Sequence, residues 1–310
     1  MINLEILLQQ ILNGLVLGSV YALVALGYTM VYGILQLINF AHGDVLMIGA
    51  MVGVSVVVLL SNSGLPGPVL LVIALLVAIP VCVLLSLFIE RVAYRPLRNA
   101  PRLAPLITAI GVSIVIQTMA MIIWKPNPIV FPDLLPTVPV EFFGALLAPK
   151  QILILVVSAA MMTGLILLVN KTKLGRAMRA TAENPRIAGL MGVNANQVIA
   201  ATFAIGAALA AVAGVLVAMN YNIAQFSMGF IPGLKAFTAA VLGGIGNITG
   251  AVLGGLLLGV IESLGSGYVG DLTGGFLGSH YQDIFAFVVL IVVLVFRPSG
   301  IMGERVADRA

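Results

Sequence analysis

Eight apolar runs, near residues 11–35, 44–60, 69–89, 104–124, 151–170, 198–219, 234–268 and 283–296, leave little of this chain for anything else. About 20 helical residues cross the roughly 30 Å hydrocarbon core of a bilayer, and most of the runs are of that order. Inside lipid every backbone N–H and C=O needs an internal partner, so a chain of such runs folds as helices. Only 8% of the 310 residues are charged and 61% are hydrophobic, whereas an average soluble domain is about 25% charged. Fifteen basic and 11 acidic side chains cannot make a water-facing surface for a chain of this length. The expected fold is all-α and integral to the membrane, a polytopic helical bundle of about eight hydrophobic segments with at least one broken or re-entrant helix.

The cations set the orientation. Arg91, Arg95, Arg98 and Arg102 share one connection, and Lys171, Lys173, Arg176, Arg179 and Arg186 another. Arg297, Arg305 and Arg309 fall in the tail, so 12 of the 15 Lys and Arg occupy three segments. The positive-inside rule places 91–104, 171–196 and 297–310 in the cytoplasm and the 125–150 connection outside. A cleavable signal needs a basic stretch ahead of its apolar core. The first Lys or Arg is Arg91, so the first apolar run is expected to remain as a span.

Parity then exposes a break. Three apolar segments lie between the second basic loop and the basic tail, where an even number of crossings is required. The middle one, 234–268, is too long for one ordinary crossing and contains Gly243-Gly244-Ile245-Gly246-Asn247, a poor helical stretch. A broken hairpin that enters and leaves on the outer side resolves the count. Irregular backbone at that depth is tolerated only where protein or a water-filled path satisfies it. Leu37-Ile38-Asn39-Phe40-Ala41-His42-Gly43-Asp44 is a similar interruption, and whether 11–35 crosses once or adds a half-helix leaves the side of the N-terminus open.

Several function classes lack the residues they need. The net charge of +4 is small and its cations fall between apolar runs, which argues against a nucleic-acid reader. The single cysteine, Cys82, lies mid-span, and His42 and His280 are the only histidines, so no disulfide framework or Cys/His metal site is expected. The Lys171-Thr172 pair follows Asn170 rather than glycine, so there is no phosphate-binding loop and no ATPase is expected in the chain. No nucleophile with a base and no paired acid and base stand out; catalytic and metal residues are expected to be absent.

An ionisable side chain in the membrane is costly and often functional. His42 and Asp44 either satisfy backbone groups freed at the early break or line a substrate path. Glu262 follows the apolar run Leu256-Leu257-Leu258-Gly259-Val260-Ile261 and is expected near the outer interface. Lys235 is expected to snorkel to the outer headgroups. The candidate path takes its residues from the two breaks: Asn39, Phe40, His42, Gly43 and Asp44, with Gly243, Gly244, Gly246 and Asn247. Small residues recur at four-residue spacing in Gly14/Gly18, Gly49/Gly53, Gly206/Ala210/Gly214, Gly246/Gly250/Gly254 and Gly255/Gly259. Such stripes let helices approach closely, either within the chain or against a second membrane subunit. Six prolines between Pro126 and Pro149 resist regular structure, and an ordered external cap is expected there.

The segment from Leu174 to Val193 reads as a helix to Glu183, a stop at Asn184-Pro185, and a second short helix ended by Gly192. It is either a solvated basic loop or a coupling helix seated on a soluble motor. With this segment, the runs Asn13-Gly14-Leu15-Val16-Leu17-Gly18-Ser19-Val20-Tyr21-Ala22-Leu23, Gly27-Tyr28-Thr29-Met30-Val31-Tyr32-Gly33 and Ile38-Asn39-Phe40-Ala41-His42-Gly43 complete a pattern. So does Ala239-Ala240-Val241-Leu242-Gly243-Gly244-Ile245-Gly246-Asn247. Along nearly its whole length the chain resembles the LivH-type permease subunits of bacterial branched-chain amino acid ABC transporters. The block from Asn13 to Gly43 is specific to that subfamily, and the 239–247 block is shared with sugar and urea permeases.

The resemblance implies a single transmembrane permease domain over 1–310 in the bacterial inner membrane. It implies a second related permease, two cytoplasmic ABC ATPases and a periplasmic amino acid-binding protein as partners. The chain itself would bind no cofactor and its partners would use ATP; lipid, not nucleic acid, would surround it. ABC importers dock on the ATPase through E-A-A-x3-G. Glu183 and Gly189 keep that spacing while Asn184-Pro185 replace the two alanines, so coupling roles fall on Arg176, Arg179, Glu183, Asn184, Pro185 and Gly189. The implied cargo is Leu, Ile or Val, moved by alternating access along a largely apolar path. A urea or short-chain amide permease, a self-sufficient ion-coupled amino acid transporter and a non-transporting scaffold are the other readings.

Overall fold

A computed structural model describes residues 4–303 apart from 99, 102, 143, 273–280 and 298. Arg102, His280, Arg305 and Arg309 therefore lie outside the described residues. The apolar runs are helices: α1 (Leu4–Leu35), α2 (His42–Leu60), α3 (Gly67–Ile89), α4 (Leu103–Trp124), α5 (Pro149–Lys171), α8 (Ala195–Tyr221), α9 (Phe230–Gly243), α10 (Ile248–Leu272) and α11 (Gln282–Phe296). Between α5 and α8 lie two short helices, α6 (Lys173–Glu183) and α7 (Pro185–Leu190). Seven described helices are long and apolar enough to cross a membrane; α9 and α11 are apolar but shorter.

The centre of the bundle is built on missing side chains. Antiparallel α1 and α10 meet through Gly14 and Gly18 on one side and Gly255 and Gly259 on the other. Helix α2 lies against α8, where a Cβ on Gly49 would stand 2.7 Å from the Cα of Ala211. Gly250 and Gly254 close α10 onto α9. The small-residue stripes thus meet other elements of this same chain, and the backbone contact they allow is what packs helices in lipid. Burial follows: α1 and α8 are mostly enclosed, while α4 presents most of its surface, including Ile107, Ile114 and Ile122, outward.

Side assignment becomes possible from the loops. The backbone N–H of Leu146 donates to Gln9 Oε1 at 2.8 Å, and Gln9 Nε2 donates to Leu146 O at 3.1 Å. The start of α1 therefore lies with the 125–150 connection, on the face opposite the basic loops. That connection is more regular than its prolines suggest. Strand β1 (Ile129–Val130) pairs antiparallel with β4 (Ile223–Ala224) after α8, and β2 (Val140–Phe142) pairs with β3 (Ala145–Leu147). Short strands between the prolines escape the restriction, and Phe131 is buried beneath them.

Both interruptions are real. Helix α1 ends at Leu35, Gln36 has φ +54°, and the chain climbs back to start α2 at His42 beside Gly27 of α1 and Gly206 of α8. Helix α2 thus begins in the interior of the bundle rather than at its surface. The second break separates α9 from α10 at Gly244–Asn247, where Gly244 and Gly246 have φ +107° and +96°. The tail fills it: Ile301 N–H donates to Leu242 O at 2.9 Å, Met302 N–H to Gly243 O at 3.0 Å, and Asn247 Nδ2 to Met302 O at 3.0 Å. Carbonyls that end a helix in lipid need such partners.

Candidate functional site

The proposed path residues divide between two places. Around the start of α2, Asn39 Oδ1 accepts a hydrogen bond from Tyr94 Oη at 2.9 Å, and Phe40 packs tilted on Phe237 with centroids 5.9 Å apart. Asp44 is buried and accepts from Gln117 Nε2 at 2.8 Å. His42 stands edge-on to Tyr28 at 4.9 Å, and its buried Nε2 has no hydrogen-bond partner. Phe40, Gly43 and Asp44 line a cavity of about 270 Å³ together with Tyr28, Ser113 and Gly233. The second group is elsewhere: Gly246 lines a cleft of about 110 Å³ at the basic side, and Gly244 and Asn247 contact the tail. The two sets do not form one cavity.

At that cleft the second break meets the basic helices. Met178, Arg179 and Ala182 of α6 face Thr29 and Gly33 of α1 and Gly246 across it. Thr172 caps α6 by accepting from Gly175 N–H at 3.1 Å, and Arg179 donates to Val169 O at the end of α5. Asn184 Oδ1 caps α7, accepting from Arg186 N–H at 3.0 Å and Ile187 N–H at 3.1 Å. An Asn at this position ends one helix and starts the next, a role alanine cannot fill. Arg176, Glu183, Asn184, Pro185 and Gly189 are exposed. Leu190 and Met191 are 87% and 81% exposed, with Ile187 beside them. This apolar tip stands on the basic side, where no lipid is expected to cover it.

The charged residues Lys235 and Glu262 depart most from expectation. Lys235 does not snorkel and Glu262 does not lie at an interface; they are 3% and 1% exposed. Lys235 Nζ lies 2.6 Å from Glu262 Oε1 and 2.6 Å from Asp283 Oδ1. Tyr21 Oη donates to Glu262 Oε1 at 3.2 Å, and Gln282 Nε2 does so at 2.9 Å. The pairing offsets the cost of burying the charges, which is why Lys235 need not reach for water. Asp283, Gln282 and Tyr21 escaped the sequence reading, although opposite charges on the two arms of one hairpin were visible in Lys235 and Glu262. Glu90, also missed, is buried at the end of α3, paired with Arg95 at 3.1 Å and with Arg98. Among the described residues no three His, Cys, Asp or Glu gather as metal ligands.

The comparisons with known proteins agree with one another. A family model described as the branched-chain amino acid transport system permease component matches residues 10–294. The high-affinity branched-chain amino acid transport system permease protein BraD of Pseudomonas aeruginosa is 50% identical over 97% of both chains. The permease protein LivH of Escherichia coli K12, of the same description, is 46% identical over 97% of both. A probable branched-chain amino acid transport permease protein LivH of Methanocaldococcus jannaschii is 30% identical over 95% of this chain and 92% of its own.

Proposed function

This chain belongs to the family of permease components of branched-chain amino acid transport systems, and we propose that it is the membrane-spanning subunit of an ATP-driven importer of leucine, isoleucine and valine. A second related permease, two cytoplasmic ABC ATPases and a periplasmic binding protein complete the assembly, in a bacterial inner membrane. The chain contributes no ATPase and needs no cofactor of its own; its partners use the ATP.

The exposed tip of α6–α7 carries the ATP-driven part of this reading. Apolar side chains at Ile187, Leu190 and Met191 stand uncovered in an aqueous, basic setting, and exposed apolar patches of this kind mark partner surfaces. Glu183, Asn184, Pro185 and Gly189 lie along the same excursion, with Arg176 and Arg179 on its first helix. Because Met178, Arg179 and Ala182 share a cleft with Gly33 and Gly246, a pull on α6 moves both the end of α1 and the turn of the broken hairpin. ATP binding closes the motors, the excursion follows, and the spans alternate between outward and inward access. Asn39, Phe40, His42, Gly43 and Asp44 contribute to the path, and Gly243, Gly244, Gly246 and Asn247 to its inner gate.

Purification of the tagged chain from its native membrane in mild detergent, with mass spectrometry of the subunits that accompany it, tests the assembly. A second permease and two ATPases are expected. Recovery of the chain alone, still folded, contradicts the reading.

A further inference from the structure

Above the buried pair Lys235–Glu262 lies a cavity of about 200 Å³, enclosed by α1, α8, α9 and the start of α11. Much of its wall is aliphatic, with Val16, Val20, Val217 and Ile231, and Tyr21, Tyr221 and Asn220 also line it. Its polar end holds Lys235 and Asp283. We propose that this cavity is a binding site for a free α-amino acid in zwitterionic form with an aliphatic side chain, a station on the route of the cargo. The inference rests on the transport function proposed above and adds to it a site that the candidate path residues do not include.

The charges decide which ligand fits. Lys235 carries two carboxylates, each at 2.6 Å, where one would neutralise it. Glu262 is the fixed one, buried and held by Tyr21 and Gln282. Asp283 is the replaceable one, its side chain 45% exposed at the head of α11. A ligand carboxylate can take its position on Lys235, and the freed Asp283 carboxylate then faces the ligand ammonium. Both new contacts are charge-assisted, and the exchange leaves the charge of the cluster unchanged. A carboxylate without an ammonium adds an uncompensated negative charge at low dielectric, and an amine without a carboxylate leaves Lys235–Asp283 unopened. The side chain meets a largely apolar wall, and such a pocket distinguishes branched chains weakly, as a station serving leucine, isoleucine and valine requires.

The test measures how fast a methanethiosulfonate reagent labels Ile231→Cys at the mouth of the cavity, in a Cys82→Ala background. The protein is held in nanodiscs with whatever subunits co-purify. L-Leucine is expected to slow labelling about tenfold at roughly ten times its Kd. The same aliphatic chain on 4-methylpentanoate or 3-methylbutylamine is expected to give little protection, a comparison that needs no further variant. Asp283→Asn should abolish protection by leucine. Equal protection by all three compounds, protection unchanged in Asp283→Asn, or none with leucine overturns the site. Leucine uptake by the unlabelled wild type, measured in parallel, separates the two claims. Uptake without protection removes the site alone, and absence of uptake removes the transport reading.

Discussion

A methyl group on Gly18 would stand 2.8 Å from the carbonyl oxygen of Gly255, and one on Gly255 would stand 2.6 Å from the Cα of Ala22. Neither neighbour can give way, because each is backbone. Helices α1 and α10 are therefore in backbone contact along a shared face, and the turn of the broken hairpin moves with α1. Gly18→Val is expected to destabilise the protein by about 3 kcal/mol or more, the upper range of overpacking. Gly164→Ala, on α5 with open space around it, should be neutral or stabilise by up to about 1 kcal/mol. Cys82 is the single cysteine and is buried, so its reaction with a thiol dye on heating reads both transitions.

The Lys235–Glu262 pair should behave as a unit. Lys235→Met leaves the buried Glu262 without its cation and is expected to cost about 3–5 kcal/mol, and Glu262→Gln, which leaves Lys235 matched by Asp283, less. The double substitution should recover most of that loss, giving a coupling energy above about 1 kcal/mol in a double-mutant cycle. Additive losses would mean that the two charges do not depend on each other.

How far this arrangement could be read beforehand differs from residue to residue. The apolar runs and the glycine-rich interruption at 243–247 are local features, and they reappear as helices and as the α9–α10 turn. The early polar stretch also marks the start of α2 at His42. The side on which α1 begins was not legible, because no Lys or Arg precedes Arg91 and the deciding contact joins Gln9 to Leu146, far apart in the chain. Lys235 and Glu262 were visible as charges but not as partners. An exit to the headgroups suffices for each residue taken singly, and only the packing of α1, α9, α10 and α11 closes it. Asp283 carried no local signal at the head of an apolar helix.

Glu90 holds the end of α3 through two guanidinium groups, and one of them, Arg98, also donates to Asn196 in the first turn of α8. Glu90→Gln removes the charge on which both arginines converge. A loss on the order of 3 kcal/mol is expected, the lower part of the range for a broken buried pair because Arg95 is partly solvated. The same dye assay measures it, and an unchanged transition would contradict the role.

At the α6–α7 tip proposed to face the motor the outcome should be the reverse, with stability spared and function lost. Leu190→Ser with Met191→Ser alters side chains that touch little in this chain, so the transition should move by no more than about 0.5 kcal/mol. Recovery of the ATPases on the tagged chain should fall about tenfold or more, as for truncation of an interface anchor. Full recovery would place the docking surface elsewhere.

The most direct measurement is leucine accumulation by proteoliposomes holding the purified assembly, supplied with its binding protein on the loading side and ATP on the motor side. Accumulation is expected only with ATP, reduced by excess isoleucine or valine, and unaffected by an uncoupler. Accumulation that proceeds without ATP and collapses with the uncoupler would contradict the account and make the chain an ion-coupled transporter.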